Sequence, residues 1–164
     1  MREPSDSAAS AAEILAGLGT DWALIGALAA MRYRASPRLT TDADFLVAPH
    51  PHLATAFRAA GYAVTEVADS GESPHLLVVR GHGDEIDVLV ASVEYQETAL
   101  RRAVDHVITA EDVIIHKLIA WRPRDRNDIA SVLDAGHDLD ESYIEMWAAE
   151  WHVSERWSQA RAAR

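Results

Sequence analysis

Asp42 and Asp44 stand two residues apart in TTDADFLV, and a third aspartate, Asp87, interrupts the apolar run EIDVLVA. Side chains along a strand alternate in direction, so Asp42 and Asp44 face the same way. Two like charges on one face repel unless a cation stands between them, and a hard divalent metal is the usual partner. Asp87, flanked by Ile86 and Val88, is costly to bury alone. Either it pairs with an arginine, or its strand lies beside the Asp42/Asp44 strand and brings three carboxylates to one face. Three converging carboxylates suit divalent cations at a phosphoryl-transfer site. Upstream, WALIGALAAM reads as a strand over Trp22–Ile25, then Gly26, then a helix from Ala27 to about Tyr33. A glycine at such a junction leaves backbone N–H groups open to a phosphate.

The elements that must position these residues follow from periodicity. Ser7–Leu18 places Ile14, Leu15 and Leu18 at helical spacing before Gly19, and residues 1–6 are polar and expected to be loose. His50–Ala60 is an amphipathic helix ended by Gly61. Tyr62–Val67, His75–Arg80 and Glu85–Ala91 alternate as strands, the last two joined by the tight turn Gly81–Gly83. Ser92–Val104 is helical. Thr109, with Asp112 three residues on, caps a helix that carries Lys117 and is broken by Pro123. Arg124–Ala135, Asp140–Trp151 and Ser154–Ala163 complete a helical C-terminus. The expected fold is α/β (α+β): a mixed sheet of about five strands with flanking helices and a C-terminal helical cap. One domain spans residues 1–164, with a core over 7–108 and packed helices over 109–164.

Composition narrows the class. At 164 residues, 49% apolar and 25% charged, the chain is of ordinary globular type. It has no cysteine, hence no disulfide framework or thiolate metal site. It has no apolar run of membrane-spanning length and no signal-peptide layout, so a cytoplasmic location is expected. The net charge of −11 disfavours general DNA binding. Lys117 is the one lysine among 15 cationic residues, which hints at a position that needs an amine. The arginines 122, 124 and 126, with 32, 34 and 38, could form a local basic patch. His50 and His52 lack a third ligand nearby and read as a polar loop; the C-terminal tryptophans read as core.

Gly26-Ala27, a fourteen-residue spacer, Asp42-Ala43-Asp44 and then Asp87 resemble the signature of the DNA-polymerase-β-like nucleotidyltransferase superfamily. Arg38-Leu39-Thr40 before the aspartate pair, Lys117 in HKLIAW, and Arg124-Asp125-Arg126-Asn127-Asp128 resemble elements of the AbiEii/AbiGii toxin-type members. The resemblance implies a nucleotidyltransferase fold and transfer of an NMP from an NTP to a hydroxyl, with release of pyrophosphate. It implies Mg²⁺ (or Mn²⁺) on Asp42, Asp44 and Asp87, with Asp87 assisting deprotonation of the acceptor. Lys117 would contact the triphosphate. Gly26, Ala27, Arg38, Thr40 and Asp128 would serve nucleotide binding, with Asp128 and Asp125 orienting Lys117 or an arginine. The acceptor would be a tRNA 3′ end, a protein or a small molecule, and a toxin would have a cognate antitoxin. Antibiotic nucleotidylation is the alternative enzyme reading. Ala27 departs from the usual glycine or serine and supplies no hydroxyl, which keeps a catalytically silent binding module in view.

Overall fold

The computed structural model describes residues 3–163. Its elements run α1 (Pro4–Leu18), β1 (Trp22–Ile25), α2 (Gly26–Met31), β2 (Ala43–Val47), α3 (Leu53–Ala59), β3 (Ala63–Val67), β4 (Leu76–Gly81) and β5 (Asp84–Val90). Five helices follow: α4 (Glu94–Arg102), α5 (Ala110–Ala120), α6 (Pro123–Asp134), α7 (Glu141–Glu150) and α8 (Ser154–Ala162). The five strands form one mixed sheet in the order β1-β2-β5-β4-β3, in which only the β2–β5 pair is parallel. The expected architecture of a five-stranded mixed sheet with flanking helices is the observed one.

Strand alternation divides the molecule into two packed layers. Phe45, Val47, Ile86 and Val88 face a core closed by Ala11 and Leu15 of α1 and by Leu53 and Phe57 of α3. Leu46 faces the other core, which is filled by Ile114, Ile115 and Leu118 of α5, Ile129 of α6, and Trp147 and Trp157 of α7 and α8. Asp44 has the same parity as Leu46, so it points toward the side occupied by the C-terminal helices.

Some boundaries differ from the sequence reading. Residues 1–6 were expected to be loose; the first two lie outside the described residues, and α1 already begins at Pro4, a residue pre-set for the first helical position. Asp42 lies just before β2 rather than within it. Thr109 caps α5 as expected, its hydroxyl accepting from the Asp112 backbone N–H at 3.3 Å. That helix ends at Trp121, whose φ of 51° is left-handed, and Pro123 opens the next helix rather than breaking this one. No helix among the described residues is long and apolar enough to cross a membrane.

Candidate functional site

Register brings the aspartates together. In the parallel β2–β5 pair Asp44 lies directly opposite Asp87, and Asp42 precedes it by one strand repeat. In the antiparallel β1–β2 pair Ile25 lies opposite Asp44, which delivers Gly26 to the same corner. Asp42, Asp44 and Asp87 line a cleft of about 130 Å³ together with Gly26, Ala27, Arg38, Lys117, Arg122 and Arg124. One wall is therefore carboxylate, from β2, β5 and the residue just before β2, and the other cationic, from α5, the start of α6 and the loop before β2.

Gly26 has a φ of 65°, and a Cβ built on it would lie 2.7 Å from Asp44 Cγ and 2.9 Å from Asp44 Cβ. The missing side chain is thus the space that the Asp44 carboxylate uses. Burial raises the Asp44 pKa, the nearby charges of Asp42 and Asp87 raise it further, and the carboxyl reaches about 6 despite Lys117 and Arg122. Asp42 goes the other way. Burial pushes it up, but the Thr40 hydroxyl, donating to Oδ1 at 2.6 Å, and the charges of Arg124 and Arg38 bring it below its ordinary value.

Asp87 satisfies both alternatives at once. It lines the cleft, and Arg80 Nη1 donates to its Oδ1 at 2.9 Å while also reaching the carbonyls of Val79 and Ile86 at 2.9 and 2.8 Å. It is also not fully buried, its side chain being 33% exposed. Sequence reasoning left Arg80 out of the site. The available signal was a lone arginine closing the apolar run HLLVVR, across the hairpin from Asp87.

Lys117 is buried on α5, and its ammonium donates to Asp125 Oδ1 at 3.2 Å and lies 3.0 Å from Asp128 Oδ2. Both aspartates are fully buried in α6. Asp128 also pairs with Arg34, and with Arg38 Nε at 3.1 Å. Arg122 Nε donates to Asp125 Oδ2 at 2.7 Å, and its hydrogen bonds hold the Asp125 carboxyl below its usual range against the opposing effect of burial. Thr40 and Asp128 do not line the cleft; they reach it through Asp42 and through Lys117 and Arg38. Among the described residues, Arg124 is the one cleft-lining cation that makes no ion pair.

The rest of the expected basic patch disperses. Arg32 pairs with Asp105 at 3.1 Å, and Arg126 lies over the Trp121 ring, 5.6 Å from its centroid. His50 and His52 contact each other edge to face at 5.7 Å. No three carboxylate or imidazole residues among the described residues are set to enclose a metal unaided. The donor set still fits a hard cation. Asp44 is raised first by burial and then by the charges of Asp42 and Asp87, the part that such an ion would relieve, and Mg²⁺ commonly takes one or two protein carboxylates and completes its shell with water and phosphate.

No family model and no curated protein sequence matches the chain. Solved structures do. The antibiotic-resistance factor ANT(2″)-Ia in solution superposes with a TM-score of 0.60 at 17% identity, over 96% of this chain and 95% of that one. The crystal structure of ANT(2″)-Ia with adenylyl-2″-tobramycin gives 0.59 at 13% identity, over 93% and 99%. An antigenic nucleotidyltransferase-like protein from Paracoccidioides brasiliensis gives 0.50 at 17% identity, over 98% and 92%. The fold is therefore that of the nucleotidyltransferases.

Proposed function

We propose that this chain is a metal-dependent nucleotidyltransferase that moves an NMP from an NTP onto a hydroxyl and releases pyrophosphate. The observation that carries the proposal is the split cleft: Asp42, Asp44 and Asp87 share one wall, where burial and the neighbouring carboxylates raise Asp44, and Lys117, Arg38, Arg122 and Arg124 supply the other. Asp42, Asp44 and Asp87 would hold Mg²⁺ or Mn²⁺, whose chemistry here is to neutralise phosphate charge and acidify the acceptor hydroxyl.

The chain's own groups do the rest. Lys117, fixed by Asp125 and Asp128, presents a compact charge to the triphosphate. Arg124, which makes no ion pair, adds a second charge. The acceptor oxygen bonds to the α-phosphorus, the bond from that phosphorus to the bridging oxygen breaks, and pyrophosphate leaves. Asp87 takes the acceptor's proton. Ala27, buried at the cleft, offers only its backbone N–H where a serine would add a hydroxyl.

Two acceptor classes follow. A small cationic polyol is supported by ANT(2″)-Ia, which has been seen with adenylyl-2″-tobramycin and whose length this chain matches almost fully. The net charge of −11 would draw such an acceptor in. An RNA 3′ end or a protein hydroxyl, in a toxin restrained by a cognate antitoxin, is the reading that the Arg38-Leu39-Thr40 resemblance supports.

The deciding experiment incubates the protein and its Asp42→Asn/Asp44→Asn variant with each labelled NTP and Mg²⁺. The acceptors are aminoglycosides in one arm and total bacterial RNA and protein in the other. Label transferred by the native protein alone establishes the activity, and the labelled species names the acceptor class. Mg²⁺-dependent NTP binding without transfer to any acceptor marks a silent module. Absence of both transfer and binding overturns the proposal.

A further inference from the structure

The cleft is lined by charged side chains and by Gly26 and Ala27, with no large apolar side chain against which a base could pack. Its volume of about 130 Å³ lies well below the roughly 300 Å³ at which pockets begin to enclose a drug-sized ligand. On the reading above, base and sugar must therefore lie against the rim. Five large hydrophobic side chains stand in solvent among the described residues, and only Leu39, at 95% exposure, adjoins a residue that lines the cleft.

A solitary exposed leucine is ordinary on a protein surface. Leu39 differs in how its backbone is held. On one side Arg38 lines the cleft, with Nε 3.1 Å from the buried Asp128 and Nη1 donating to the Leu39 carbonyl at 3.2 Å. On the other side Thr40 is tied to Asp42 at 2.6 Å. Further back, the Ala35 N–H donates to the Ser131 carbonyl at 2.9 Å, the Ser36 N–H donates to Ser131 Oγ at 3.3 Å, and Arg34 pairs with Asp128. The loop from Arg34 to Asp42 is strapped to α6 and to the first carboxylate, and an apolar side chain is held outward between the straps. A loop ordered in advance loses less entropy when it closes on a ligand.

The charge layout selects the ligand. Phosphates belong to the cationic wall, to which Arg38 contributes, and the nucleoside is tethered to those phosphates. The acceptor belongs beside Asp87, on β5. We infer that Leu39 is the nucleoside platform of this site: its isobutyl group packs against the base and ribose of the bound NTP while Arg38, its neighbour, faces the phosphates. The inference rests on the cleft's taking a triphosphate.

Calorimetric titration tests it, with the four NTPs and with inorganic tripolyphosphate, each with Mg²⁺, on the native protein, Leu39→Ala and Leu39→Met. The expected result is that Leu39→Ala weakens NTP binding by about five- to tenfold and changes tripolyphosphate binding by less than about twofold, while Leu39→Met keeps NTP affinity. Unchanged NTP affinity in Leu39→Ala overturns the platform. So does an equal loss for tripolyphosphate, since the loop and not the side chain would then be at work. Native protein that binds neither NTP nor tripolyphosphate overturns the reading of the cleft itself, a failure distinct from the other two.

Discussion

The carboxylate of Asp44 lies where a side chain on Gly26 would begin: a Cβ there would stand 2.7 Å from Asp44 Cγ. The glycine and the aspartate come from adjacent antiparallel strands whose register sets Ile25 against Asp44. Gly26→Ala would force the carboxylate aside and also place an alanine at a φ of 65°. The expected cost is about 1–3 kcal/mol of stability, with loss of metal-dependent nucleotide binding. Urea denaturation and nucleotide titration of the purified variant measure the two effects separately. Full nucleotide affinity in the variant would show that Asp44 can work from another position.

Two groups give folding stability opposite pH slopes. The Asp44 pKa, raised to about 6 by burial and by Asp42 and Asp87, exceeds its ordinary 3.8, so the folded state binds the proton more tightly. Its contribution is full below about pH 4 and is lost as pH rises through 6. His116 does the reverse. Burial and the Lys117 charge lower it from 6.5 to about 4, so its contribution is present above 6.5 and is lost as pH falls through 4. Each contribution is on the order of 3 kcal/mol by linkage, and they largely cancel between pH 4 and 6.5. The native protein is expected to show a nearly flat stability profile there without metal. Asp44→Asn is expected to show stability rising more steeply with pH than the native protein, as Asp44 then no longer offsets His116. Chemical denaturation at several pH values checks both curves, and parallel profiles would remove Asp44 as a titrating group in this range.

The hairpin of β4 and β5 is legible in the sequence because Gly81–Gly83 punctuates two apolar runs, and the aspartates are legible because chemistry rarely spaces carboxylates that way by chance. Which atoms they meet is not legible. That Gly26 makes room for Asp44, rather than only for a phosphate, depends on strand register. That Asp87 is both a cleft residue and an arginine partner depends on Arg80 lying diagonally across β4 and β5, with Val78 opposite Asp87. Asp125 and Asp128 lie eight and eleven residues beyond Lys117, but only the turn at Trp121, with its left-handed backbone, folds α6 back so that both reach the ammonium. The scattering of Arg32 and Arg126 likewise follows from helix orientation, which charge counting does not supply.

Asp128 is the hub of the cationic wall. Fully buried, it meets Lys117, Arg34 and Arg38. Asp128→Asn keeps the shape and removes the charge, leaving Lys117 to Asp125 alone and releasing Arg34 and Arg38. Breaking a buried ion pair by removing one partner costs about 3–5 kcal/mol. A loss of that size in urea denaturation is expected, together with weaker NTP binding. Lys117→Arg is not expected to be neutral, because a planar guanidinium does not fit between two carboxylates placed for one ammonium nitrogen. A stable, fully binding Asp128→Asn protein would mean that Asp125 alone positions Lys117.

Arg80 presents the opposite balance of stability and activity. Its pair with Asp87 is open to water, with side chains 42% and 33% exposed, and such pairs contribute no more than about 1 kcal/mol. Arg80→Met should therefore leave the melting temperature almost unchanged. The same Nη1 that holds Asp87 Oδ1 also rests against the Val79 and Ile86 carbonyls, so the carboxylate is tied to the frame of the sheet. Freed from that tether, Asp87 would sample rotamers turned away from the acceptor. Loss of positioning of this kind lowers turnover by about ten- to a hundredfold, and because Arg80 lies outside the cleft lining, the NTP KM should not move. Arg80→Lys, which retains one donor at a similar reach, should recover part of the rate. The kcat and KM of the three proteins, measured once the acceptor is known, separate the outcomes. A fall in kcat alone marks Arg80 as a positioning residue acting through Asp87. A rise in KM alone would instead place its guanidinium on the nucleotide, and native kinetics in Arg80→Met would leave the pair as a solvent-exposed contact with no part in the reaction.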